Sequence, residues 1–89
     1  MTAVKKADAS LVKVVARVGT ARAPELLHDS REPEVKHDEL VVLSFHGEKE
    51  KPAGIVVQWN CHPETLDSKS TGLSADYVGV TVNQLKAKY

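Results

Sequence analysis

The sequence predicts an α+β fold, a small antiparallel sheet of three to four strands with a C-terminal helix packed on one face. Three observations lead there. Leu11–Val18 (LVKVVARV) is rich in valine. Two short apolar segments, Leu40–Phe45 (LVVLSF) and Ile55–Asn60 (IVVQWN), flank a charged linker containing glycine and proline. In the last fifteen residues the apolar positions recur every third or fourth residue, which is the helical period.

The first strand is expected over residues 10–18. Val12, Val14, Ala16 and Val18 then share a face, with Lys13 and Arg17 on the other. A helix capped by Asp8 or Ser10, with Leu11, Val14, Val15 and Val18 on one stripe, is the alternative. Valine's fit to a pleated surface and a stop at Gly19 favour the strand. Thr20–Glu39 is a polar connection of twenty residues with two prolines and two histidines. Loops of that length usually carry function or an element of their own, and Pro24–Leu27 is expected to form a short strand or turn.

Strands follow over residues 39–46 and 54–60. The linker His46–Gly54 (HGEKEKPAG) reads as a solvated hairpin connection. Val41, Leu43 and Phe45 share one face of their strand, as do Ile55, Val57 and Trp59, and both sets are expected to bury against one layer. The helix is expected over residues 75–88, with Ser74 at the N-cap position and Asp76 in the first turn. Ala75, Val78, Val82, Leu85 and Tyr89 would form its apolar face. Gly79 costs such a helix about 1 kcal/mol relative to alanine and predicts a close approach to a strand.

At 89 residues the chain is read as a single small domain, residues 1–89. It is 42% hydrophobic and 27% charged, which is ordinary globular usage rather than the signature of disorder. Twelve basic residues balance twelve acidic ones without clustering, so nothing favours nucleic acid or an anionic membrane as a partner. Cys61 is the single cysteine, which excludes an intrachain disulfide and an all-cysteine zinc site. No apolar run is long enough for a transmembrane segment, and MTAVKKADAS lacks the apolar core of a secretory signal; a soluble, cytoplasmic product is expected.

The segment with most chemical content is Asn60-Cys61-His62-Pro63-Glu64, where a strand gives way to a loop. His62 is a candidate zinc ligand, held in extended geometry by Pro63. The alternative is a strand-end histidine hydrogen-bonded to its loop, since no HxH or HExxH spacing supplies further ligands. A catalytic Cys61 needs a base. His62 is adjacent, but neighbours in an extended chain point to opposite sides, and His28, His37 and His46 are the other candidates. Arg31, in Asp29-Ser30-Arg31-Glu32-Pro33, offers a planar fork for an anion or carbonyl, or else pairs within a charged loop. Asp67–Thr71 (DSKST) is read as a solvated loop.

The order of these motifs, from the Ser-Arg-x-Pro loop through the two strands and CHPETL to Leu73–Gly79 (LSADYVG), resembles the neutral/alkaline non-lysosomal ceramidase-like family. The similarity spans roughly residues 15–86 and corresponds to an internal segment of that family's N-terminal catalytic domain, truncated at both ends. The resemblance implies a zinc-dependent amide hydrolase in which His62 is a zinc ligand. Arg31, Asn60, Glu64 and Asp76 would stand near substrate or support the ligand, and a small-molecule or lipid-like ligand would be bound. It also implies relatives that are secreted. The family's His-x-His-Ser-Gly-Pro segment and its later carboxylate and tyrosine ligands have no counterpart here, so the chain by itself is expected to lack hydrolase activity and its catalytic residues stay unassigned.

The other two functional readings are a homo-oligomeric binding or interaction protein, and a zinc-dependent hydrolase whose site is assembled between chains. A chain this short buries only about 60–65% of its unfolded surface, so a homo-oligomer, a dimer through a sheet edge or face, is expected.

Overall fold

The computed structural model of the chain describes residues 2–48 and 51–89. The order of elements is α1 (Thr2–Ala9), β1 (Val15–Arg22), a 3-10 turn (Pro24–Leu26), β2 (Glu39–His46), β3 (Pro52–Gln58) and α2 (Asp76–Lys88). The strands form one antiparallel sheet in the order β1-β2-β3, and with α2 they make the α+β composition. By contacts the chain divides into two compact units. One takes the residues up to Ala21 with Leu40–Gln58, the other Arg22–Glu39 with Trp59–Tyr89.

In the first unit, α1 is an element the sequence reading did not include. Three alanines and two lysines of TAVKKADA are good helix formers. Ser10 closes its end by donating both its backbone N–H and its hydroxyl to the Ala7 carbonyl, at 3.1 and 3.0 Å. β1 lies later than expected: residues 10–14 precede it, and it runs through Gly19 to Arg22. Gly19 does not stop the strand because its φ is not positive. Beyond the strand's end, the Ala23 N–H donates to the Asp38 carbonyl at 3.0 Å, drawing the chain alongside the residue before β2. β2 occupies the predicted span.

The pairing of β2 with β3 corrects the expected single layer. Val41, Leu43 and Phe45 stand opposite Gln58, Val56 and Gly54, while Val42 and Ser44 stand opposite Val57 and Ile55. Directly opposed residues share a face, so this register places the Val41 set and the Ile55–Val57 set on opposite faces. Ile55 and Val57 are half-buried, whereas Val56 between them is exposed. β3 begins at Pro52 and ends at Gln58, two residues earlier at each end than expected. A register shift between Phe45 and His46 lets His46 meet Pro52. Lys49 and Glu50 of the predicted hairpin linker lie outside the described residues.

In the second unit, Pro24–Leu26 is a 3-10 turn, closed by Leu26 N–H to Ala23 and Leu27 N–H to Pro24 at 3.1 and 3.2 Å. α2 begins at Asp76, with Ala75 rather than Ser74 in the capping position. Its less exposed side carries Tyr77, Thr81 and Leu85, while Val78, Val82 and Tyr89 of the expected apolar face are exposed. One polar anchor, from Tyr77, explains the turn of the helix, and a second bond lies within the helix itself. The Tyr77 hydroxyl donates to the Cys61 carbonyl at 2.6 Å, and the Thr81 hydroxyl donates to the Tyr77 carbonyl at 2.9 Å.

Gly79 is needed by its own helix rather than by a strand. A Cβ built on it would sit 2.7 Å from the Cβ of Ala75. Gly79→Ala therefore gains about 1 kcal/mol of helix propensity but costs roughly 1–3 kcal/mol of overpacking, for a net loss of up to about 2 kcal/mol. Urea denaturation checks this. Adding Ala75→Gly to the same chain should recover the loss, and failure to recover it would show that the contact is not the cause.

Candidate functional site

The site is built where the chain leaves β3 and returns to open α2. Asn60 is exposed, and Cys61 is half-buried. The carbonyl of Cys61 is held by Tyr77, and its thiol donates only to the neighbouring His62 carbonyl at 3.4 Å. That same carbonyl accepts the Glu64 N–H at 2.9 Å, forming a three-residue turn centred on Pro63. The turn directs His62 outward with its side chain 88% exposed, and Nδ1 lies 3.5 Å from Glu64 Oε1, an ion pair when the imidazole is protonated.

Asp76 is the most heavily bonded group of the site. Its Oδ1 accepts from the Thr65 hydroxyl at 2.8 Å and from the Tyr77 N–H at 2.6 Å, and its Oδ2 accepts from the Thr65 N–H at 2.9 Å. Its own N–H donates to Ser74 Oγ at 2.9 Å. Asp76 takes φ 52°, a left-handed value that aspartate tolerates better than most residues. The Tyr77 N–H first, and the Thr65 hydroxyl and amide after it, hold the carboxyl below the usual range. Partial burial pushes the Tyr77 phenol above its ordinary value. An open pocket of about 390 Å³ lies against this clasp, lined by Asp76 itself with Thr65, Leu66, Ser74, Tyr77, Val80 and Thr81.

Arg31 stands apart from both groups. Its side chain is 91% exposed and reaches only Asp29, at 3.8 Å. The order in that loop comes from Asp29, whose two oxygens accept the N–H groups of Arg31 and Val35, each at 3.1 Å. The Val35 bond, then the Arg31 bond, lower the Asp29 carboxyl from its ordinary value.

Of the residues singled out from sequence, His62 and Glu64 meet each other, Asp76 binds Thr65, and Arg31 pairs with Asp29. Among the described residues no three His, Cys, Asp or Glu side chains gather as a metal site. His62 and Glu64 are two donors, one fewer than the three protein ligands a catalytic zinc takes. Thr65 and Tyr77 organise the α2 opening and were not identified from sequence, whereas pairing of Arg31 within its charged loop is one of the two expectations and is what Asp29 provides. Ser74-Ala75-Asp76 ahead of a helical period was the signal available for the clasp. Among the described residues no helix is long and apolar enough to cross a membrane. No family model, curated protein or solved structure matches the chain.

Proposed function

We propose that this chain is an interaction module that associates with copies of itself. The observation that carries this reading is the distribution of its apolar side chains. Among the described residues none is buried, and Leu11, Val12, Val15, Val18, Val56 and Leu73 are among the large ones left exposed. Scattered exposed leucines and valines need no explanation, but a run such as Leu11–Val18 on and beside one strand is the kind of surface that association covers. Burying such a side chain contributes about 1.5–3 kcal/mol when it goes from full exposure to full burial.

A kinship with ceramidase-like amidohydrolases is a second proposal, supported by the order of motifs alone. Within that kinship His62 would be a zinc ligand; Glu64, 3.5 Å away, is a neighbouring carboxylate that could join it, and a second chain would supply the rest. Light scattering behind size exclusion, at micromolar concentration, tests association. The expected mass is twice that of one chain, unchanged by a chelator. A monomer across the accessible concentrations would sink the self-association reading. A dimer that dissociates on chelation would instead favour zinc shared between chains through His62 and Glu64.

A further inference from the structure

We infer that two copies of the chain meet reciprocally, the basic surface around β1 of each against the acidic connection between β1 and β2 of the other; this rests on the self-association proposed above. No run of like charge stands out along the sequence, yet the fold divides the balanced charge unevenly. Met1–Ala21 with Leu40–Gln58 carries six basic and three acidic residues, whereas Arg22–Glu39 with Trp59–Tyr89 carries six basic and nine acidic. The excess of each sign lies in one stretch. Residues 1–21 hold four bases and one acid, and residues 22–39 hold three bases and six acids.

These excess charges sit on side chains without partners. Among the described residues, Lys5, Lys6, Lys13 and Arg17 are exposed and make no ion pair, and the same is true of Glu25 and Glu32. The bases of the acidic connection are engaged already, Arg22 with Asp38, Arg31 with Asp29 and Lys36 with Glu34. Apolar exposure coincides with the charge on both surfaces. Val15 and Val18 flank Arg17 in β1, Leu26 and Val35 lie in the acidic connection, and all four are at least 63% exposed. Each surface thus offers apolar area to bury and charge to select what buries it.

Charge also decides between the pairings open to a two-fold dimer. The β1 surface against its own copy would gather Lys13 and Arg17 of both chains. The acidic connection against its own copy would gather Glu25 and Glu32. Juxtaposed like charges disfavour both arrangements. The reciprocal arrangement sets base against acid, twice by symmetry.

Charge reversal on each surface tests the pairing, with dissociation constants from sedimentation equilibrium. Lys13→Glu with Arg17→Glu makes the β1 surface acidic, and Glu25→Lys with Glu32→Lys makes the connection basic. Circular dichroism checks that each variant folds. Each alone should dimerise at least about 10-fold more weakly than wild type, because both of its reciprocal contacts become repulsive. Lys13→Gln with Arg17→Gln adds no charge to β1 and should weaken the dimer by a smaller factor. Mixed in equal amounts, the two charge-reversed variants should pair with an affinity close to wild type, since each contact again joins opposite signs. A mixture no tighter than its separate components, or a variant that dimerises as tightly as wild type, overturns the reciprocal pairing and leaves self-association standing. A wild-type chain that is monomeric throughout overturns both.

Discussion

Replacing Asp76 by alanine is expected to detach the opening of α2 from the loop that precedes it and to lower the urea midpoint sharply. The substitution removes the acceptor for three donors at once: the Thr65 amide, the Thr65 hydroxyl and the Tyr77 amide. It also leaves an alanine at a φ of 52°, where a β-carbon is crowded and no short polar side chain compensates. Asparagine keeps one carbonyl oxygen and tolerates the backbone, so Asp76→Asn should fall between wild type and alanine. Alanine and asparagine variants of equal stability would show that the carboxylate does not hold the clasp.

The same group sets a dependence on pH. Its donors favour the ionised form, so the folded chain binds the proton less readily than the unfolded chain does. The contribution is fully present above the ordinary carboxylate value near pH 4 and is lost as pH falls through the lower folded value. Asp29 and Asp38 are shifted the same way, Asp29 by its backbone donors and Asp38 first by its bond from Arg22. Stability should therefore decline on acidification below about pH 4, and less so in Asp76→Asn. Denaturation midpoints measured across this range check both statements.

Arg22→Ala is expected to destabilise the chain more than Asp38→Ala, although both break the same ion pair. Arg22 donates to Asp38 from Nε and Nη2, with Nη2 2.9 Å from Oδ1 and 3.0 Å from Oδ2. The two ends differ in their access to water. The Arg22 side chain is 77% exposed and that of Asp38 only 11%. A guanidinium deprived of its partner returns to solvent at little cost, whereas a covered carboxylate deprived of its donors is left without compensation. Arg22→Lys should be intermediate, because an ammonium cannot reproduce the two-pronged geometry. A double-mutant cycle in urea reads the asymmetry. If Asp38→Ala proves the worse variant, the loss lies in packing around Asp38 rather than in the unpaired charge.

How much was legible varied with how local each cause was. β2 could be read to the residue because its apolar positions are bounded by His37-Asp38 on one side and Gly47 on the other. The start of α2 was legible to within one residue, since Ser74 and Asp76 announce a helix opening whichever of them bonds the backbone. β1 was displaced because Gly19 has two possible meanings, a stop or an extended residue, and the choice depends on a neighbouring strand far away in sequence. At the corner after β3, the histidine and the thiol drew attention. The part that organises the site is the Cys61 carbonyl, which no sequence pattern singles out.

From the sequence alone came the α+β class, the two apolar strands and the C-terminal helix, because alternation and helical period are properties of the chain read a few residues at a time. Tertiary structure decided the rest. It set which strand faces coincide, because register is chosen across a turn and a one-residue slip exchanges the faces. It chose the side of α2 that is covered, because Tyr77 is tied to a carbonyl sixteen residues earlier. It placed His62 in solvent beside Glu64 alone, because a turn around Pro63 points that ring outward and a ligand set forms only where distant segments converge.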